Sequence, residues 1–205
     1  MCYDVVLIPH WEVYKFKKNL LNLAPVFHWT TLFFLPLYYK NNIDMQKVNS
    51  FIIDHKKLVP GVYECQVNGI FTYDVRFVKP QDAVYKGLFM DPKVAHTLEH
   101  FMADYLRTKT NDEFSSTLLY VGPMGCLTGF YFLTSISYSS EFWRKLVLEC
   151  VEYILTQDTI PGAAELTCGN YQYFDLQGAK DFIRDVIIPN FSSEEFCSEY
   201  PYCQE

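Results

Sequence analysis

The sequence predicts an α+β fold: a single domain in which an antiparallel β-sheet is backed by α-helices. Three observations lead there. Two runs of apolar, β-branched or aromatic residues, Val62–Gln66 and Ile70–Val78, are joined through Asn68-Gly69, a pair that accepts the positive φ angles of a tight hairpin. Two further runs, Thr117–Val121 and Gly129–Ser137, flank the turn GPMGCLTG. Two long segments carry apolar residues at helical spacing.

Each element has a local cause. Asp91 suits a helix cap and Pro92 its first turn, so a helix starts there and runs as KVAHTLEHFMADYLR to about Arg107. The polar stretch Thr108–Ser115 reads as a loop. From Glu141 to Leu155, Phe142, Leu146, Cys150 and Ile154 recur every four residues. Cys168-Gly169 falls in a loop or short strand. Leu176–Ile188 reads as a last helix, stopped by Pro189. Neither a repeat nor a linker interrupts residues 45–190.

Composition narrows the function. Of 205 residues half are apolar and 18% aromatic, enough for a real core and unlike a disordered chain. Seventeen basic against 24 acidic side chains leave a net charge of −7, which lacks the basic footprint of a nucleic-acid binder. A small-molecule substrate fits better. The seven cysteines are odd in number and scattered, unlike a secreted disulfide framework. They read as reduced thiols in a cytoplasm, with Cys197 and Cys203 incidental in an acidic tail.

The first 44 residues differ from the rest. Asn19–Tyr39 is uncharged and, at 21 residues, as long as a membrane span. Pro25, Pro36 and His28 weaken it as a helix, and no small-residue cleavage site of a signal peptide follows. Residues 1–44 are therefore expected to be an extension outside the fold, a misassigned start or a weak membrane anchor. Residues 45–205, opening at Met45, form the functional domain with its acidic tail. Membrane association is not expected.

The chemistry concentrates in His96-Thr97-Leu98-Glu99-His100. On a helix, residues four apart share a face, so His96 and His100 can grip one metal ion. Glu99 borders that face without occupying a ligand position, which suits a carboxylate that moves protons beside a metal. The arrangement is the inverted relative of the H-E-x-x-H zinc motif. Two histidines need a third protein ligand, and Cys126, Cys168, His55 or a distant carboxylate can each supply it. Spacing alone does not choose. Cys126 lies in a turn of three glycines and a proline, where a nearby cation or metal would fit it for proton transfer; burial as a small hydrophobe is the alternative.

HTLEH, GPMGCLTGFY, YDVRF, SFIIDH and CGNYQYFDLQGAK occur in an order and spacing that resemble S-ribosylhomocysteine lyase, the LuxS family, over about residues 45–190. The resemblance implies a LuxS/metallopeptidase-like fold. It also implies a metal held by His96, His100 and Cys168, with Glu99 and Cys126 as the catalytic pair. Ser50, His55 and Arg76 would bind substrate or place the thiol. Arg76 has a structural alternative, since period-two alternation puts it on one face of a strand with Asp74. The implied reaction is a metal-assisted aldose–ketose isomerisation of S-ribosylhomocysteine. A β-elimination then gives homocysteine and 4,5-dihydroxy-2,3-pentanedione, the autoinducer-2 precursor of quorum sensing and the methyl cycle. One divalent ion per subunit is implied, Fe2+ with Zn2+ or Co2+ as substitutes, in a homodimer whose two active sites lie at the interface.

Four positions depart from that pattern. Tyr120 and Gly122 replace an Asp and a Ser, Val78 a frequent Cys and Phe174 a frequent His. Two other readings follow: a family member that binds without catalysing, motivated by Tyr120 and Gly122, and an inverted-zincin metallopeptidase, which would take a carboxylate as third ligand.

Overall fold

Asn68 and Gly69 both adopt positive φ, 52° and 80°, and turn the chain into the expected hairpin. Its arms are β1 (Gly61–Val67) and β2 (Ile70–Arg76), antiparallel with Tyr63 opposite Asp74. The computed structural model describes residues 52–202; the uncharged segment 19–39 and Ser50 lie outside the described residues. After β2 come α1 (Pro80–Lys86), α2 (Pro92–Thr108) and α3 (Asp112–Ser115). Next are β3 (Leu118–Pro123), β4 (Gly129–Thr134) and α4 (Ser140–Leu155). The chain then runs through α5 (Leu176–Phe182), a π-helical turn (Ile183–Ile187) and α6 (Ile188–Ser192). The sheet order is β1-β2-β4-β3, with every neighbouring pair antiparallel. This is the α+β architecture expected.

Alternation gives the sheet two faces. Val62, Tyr73, Val75, Phe130, Phe132 and Val121 point to one side and are buried there. Against them pack Leu98, Phe101 and Met102 of α2 and Trp143, Val147, Val151 and Ile154 of α4, all in the same apolar core. Burying a side chain of this size contributes roughly 1.5–3 kcal/mol, so this layer holds the fold. The opposite face carries Tyr63, Asp74, Arg76 and Tyr131. Gly129 lets β4 approach β2 closely there: a Cβ would sit 2.3 Å from the Val75 carbonyl oxygen. At the far edge β3 has a register shift between Leu118 and Tyr120 and ends in Pro123. At the other edge Cys197 pairs with Gly61 as an isolated parallel bridge.

Several expectations are corrected. The loop 108–115 contains α3, capped by the Asn111 side chain, which accepts from the Phe114 N–H at 2.8 Å. Helix α1 buries no residue, so it has no amphipathic signal; Pro80 opens it and Gly87, at φ 67°, closes it. Pro189 does not stop the last helix. The Ile188 N–H bonds to Ile183 O, five residues back, and this wide turn places Pro189 in the first turn of α6, where its missing N–H costs nothing. The cysteines are not all reduced: Cys65 is disulfide-bonded, while Cys126, Cys150, Cys168 and Cys197 are free. Among the described residues no helix is long and apolar enough to cross a membrane.

Candidate active site

Helix α2 begins where Asp91 accepts from the Lys93 N–H at 2.8 Å, and its apolar stripe faces the core. That registration turns His96 and His100 toward the loop before α5, edge to face at 4.8 Å. The loop docks on the helix at several points. His96 Nδ1 meets the Tyr173 carbonyl at 2.8 Å and His100 Nδ1 the Pro161 carbonyl at 2.8 Å. Both Nδ1 atoms therefore donate, which leaves each Nε2 as a free electron-pair donor. Thr97, fully buried, donates to Lys93 O at 2.7 Å and accepts from the Asp175 N–H at 2.9 Å. The Phe174 ring stacks on His96 at 4.1 Å.

Docking this loop delivers Cys168. Its Sγ lies 3.5 Å from His96 Nε2 and accepts from the Asn170 N–H at 3.4 Å. Ligand atoms of His96, His100 and Cys168 all lie within 4.8 Å of one another, the one such group of histidine, cysteine and carboxylate residues among the described residues. Two imidazoles and a thiol are a donor set for Zn2+ or Fe2+. The residue that joins the two histidines in this group is a cysteine, where a metallopeptidase would need a carboxylate. Glu99 is half-buried on the same helix.

A second patch lies on the other face of the sheet. The turn after β3 closes with Leu127 N–H bonded to Met124 O at 2.9 Å, and Leu127 takes φ 58°. A non-glycine residue held there is strained, and it is held from both sides: Met90 N–H bonds to Leu127 O at 2.9 Å. The result presents Cys126 to solvent. Thr128, buried, sits 3.0 Å from Cys126 Sγ and accepts from Arg76 Nη1 at 2.5 Å. The same Nη1 donates to Sγ at 3.6 Å, which puts a fixed positive charge beside the sulfur. Arg76 also forks onto Asp74, Nε to Oδ1 at 3.1 Å and Nη2 to Oδ2 at 2.6 Å. Burial works against the guanidinium's charge, but the Asp74 carboxylate outweighs it and raises the Arg76 pKa.

This patch borders a cavity of about 360 Å³ lined by Ile53, His55, Asp74, Arg76, Cys126 and Thr128, among others. His55 Nδ1 is bonded to Ile53 O at 2.9 Å, leaving Nε2 free. None of His96, Glu99, His100 or Cys168 lines the cavity. The structure thus brings together the three metal candidates and, separately, Cys126, Arg76 and His55. Arg76 pairs with Asp74, as strand alternation suggested, and also touches the Cys126 sulfur.

Thr128 and Thr97 were missed. Each lies inside a quoted motif, and only tertiary contacts give it a task. The Cys197–Tyr202 segment of the acidic tail, whose Cys197 read as incidental, is docked on β1 and is taken up below. Tyr120 stands half-exposed on β3, outside the cavity. Its ring fills the space over Gly122, where a Cβ would lie 2.0 Å from the phenol oxygen, so the two departures are one change. Val78 is buried in the core.

Comparison with known proteins adds an independent observation. The model of the S-ribosylhomocysteinase (LuxS) family matches residues 48–196. An S-ribosylhomocysteine lyase of Clostridium perfringens is 37% identical over 166 residues, covering 76% of this chain and 100% of the relative. One from Clostridioides difficile is 32% identical, over 72% of this chain and 96% of its own. One from Desulfotalea psychrophila is 35% identical, over 67% and 86%.

Proposed function

Because this chain belongs to the S-ribosylhomocysteinase (LuxS) family, we propose that it cleaves S-ribosylhomocysteine to homocysteine and 4,5-dihydroxy-2,3-pentanedione, the autoinducer-2 precursor. The convergence of His96, His100 and Cys168 at the end of a docked loop carries this reading. These three residues would hold one divalent ion per chain, Fe2+ in the cell with Zn2+ or Co2+ as substitutes. Such an ion supplies Lewis-acid polarisation of the sugar's carbonyl and hydroxyl oxygens.

The chain's own residues do the rest. Cys126 takes the proton from the carbon beside the carbonyl and returns it one carbon along, and Glu99 moves protons on the opposite side. Two such rounds carry the carbonyl from C1 through C2 to C3. Loss of the C4 proton then expels the homocysteine thiolate from C5, so no redox cofactor is needed. Each well-placed proton carrier is worth roughly 10²–10⁴-fold. Arg76 and Thr128 fix the position of the Cys126 sulfur, and His55 and Ser50 bind the sugar.

Glu99 does not line the cavity that Cys126 borders. The active site is therefore completed by a second copy, in a homodimer with both sites at its interface. The exposed apolar residues Val84, Tyr85 and Phe89 beside the Cys126 cavity, and Leu166 in the Cys168 loop, support such a surface. Residues 45–205 form the lyase domain, with 1–44 outside it; the family match beginning at residue 48 supports that boundary. Four free thiols among the described residues support a cytoplasmic enzyme, with Cys65 as the exception.

The test is thiol release from S-ribosylhomocysteine by metal-loaded protein. Homocysteine is expected, and its absence sinks the lyase reading. Cys126→Ala and Glu99→Gln should each abolish release yet keep the metal. Mixing the two inactive variants should restore activity, since one of the two sites in each mixed dimer is then intact. No rescue would mean that a single chain supplies both groups.

A further inference from the structure

We propose that the C-terminal segment Cys197–Tyr202 straps the walls of the Cys126 cavity in place, with Tyr200 as the positioning residue. The segment lies beyond Phe196, the last residue that the family model matches. The proposal rests on Cys126 being the reactive thiol of the function above.

The segment is docked at three points. Val62 N–H bonds to Cys197 O at 3.1 Å and Cys197 N–H to Pro60 O at 3.2 Å, extending the β1 edge. The Tyr200 ring stacks on Tyr63 at 4.8 Å and 19°. The Asp54 N–H bonds to Pro201 O at 2.6 Å beside an Ile53–Tyr202 bridge. Gly61 makes the first contact possible: a Cβ there would lie 1.9 Å from the Cys197 carbonyl oxygen. No side chain tolerates that approach, so position 61 and the tail are matched to each other.

Two of the docking points bear on the cavity. Tyr63 stands opposite Asp74, and Asp74 opposite Tyr131, in one row across β1, β2 and β4. Stacked on Tyr63, Tyr200 covers the end of this row. Burial foremost, and then the Asp74 carboxylate, raise the Tyr200 pKa while Arg76 opposes them, so the phenol stays neutral beside the pair. The Asp74–Arg76 pair is almost wholly buried, with side-chain exposures of 3% and 4%. A pair so dry is stiff, and opening it to water would weaken both its strength and its direction. Arg76 is the group that reaches Cys126 Sγ. On the opposite wall, Ile53 and His55 line the cavity, and the tail grips Asp54 between them.

The experiment compares Tyr200→Ala and Tyr200→Phe in the full chain. It reads three quantities: the rate of Cys126 alkylation by iodoacetamide with the labelled peptide identified by mass, the KM and kcat for homocysteine release, and bound metal. The thiolate is the species alkylated, and Cys126 is already exposed, so a displaced guanidinium slows the reaction. Tyr200→Ala should slow alkylation and raise KM about tenfold, as for a displaced positioning group, with metal content unchanged. Tyr200→Phe keeps the stacked ring and should behave as the unaltered chain. A Tyr200→Ala protein that matches the unaltered chain overturns the proposal, as does a Tyr200→Phe protein as impaired as Tyr200→Ala. If Tyr200→Ala does not fold, a chain ending at Glu199 gives the same readings. Should neither fold and bind metal, Tyr200 is a fold residue and the proposal is likewise overturned. Failure of the lyase reading is distinguishable: the unaltered chain would then release no homocysteine, while alkylation still reports on Tyr200.

Discussion

The two reactive patches are built by opposite means. The His96–His100–Cys168 group hangs on one helix and one loop, joined by hydrogen bonds from side chains to backbone. The Cys126 group is set by a strained turn and a chain of buried side chains, Asp74 to Arg76 to Thr128. Removing one contact from the first patch loosens a loop. Removing one from the second strands a charge. The difference predicts how each patch tolerates substitution.

Cys168→Ala should have the largest effect, loss of the metal with complete loss of homocysteine release, while iodoacetamide still labels Cys126. Metal analysis decides it; stoichiometric metal in that variant would exclude the ligand set and merge the two patches into one problem. Arg76→Met should come next. It leaves Asp74 buried without its partner, which costs about 3–5 kcal/mol of stability in urea unfolding, with metal still bound below the transition. A loss under 1 kcal/mol would show that water already reaches the pair. Thr97→Val should be mildest. It removes one anchor of the Cys168 loop, a loss of about 1 kcal/mol. Metal affinity should fall severalfold with Cys126 alkylation unchanged; a change in alkylation would show the patches to be coupled.

How much of this was legible depended on the range of the contacts involved. HTLEH could be read because helical periodicity alone puts two histidines and a carboxylate together. The Asp74–Arg76 pair was visible for the same reason, as a period-two relation within one strand. Cys168 was not: four candidates for the third ligand stood open, and only the family resemblance selected it. What brings it in is the Asp175–Thr97 bond and two histidine–carbonyl bonds, all spanning more than sixty residues. The separation of Cys126 from Glu99 was invisible, because local pattern says nothing about opposite faces of a sheet. The tail misled for another reason. Its cysteines read as incidental in an acidic stretch, yet the segment docks through Tyr200 and backbone groups, and composition does not register a ring that finds one stacking partner.

The edges of the sheet bear on how copies of this chain can meet. At one edge Cys197 takes the Val62 N–H at the start of β1. At the other, β3 is six residues long, broken by its register shift and closed by a proline that offers no N–H. Both are devices that keep a sheet from recruiting strands from its neighbours. At both of these points an approaching strand would find no free N–H to bond, which discourages open-ended stacking of sheets.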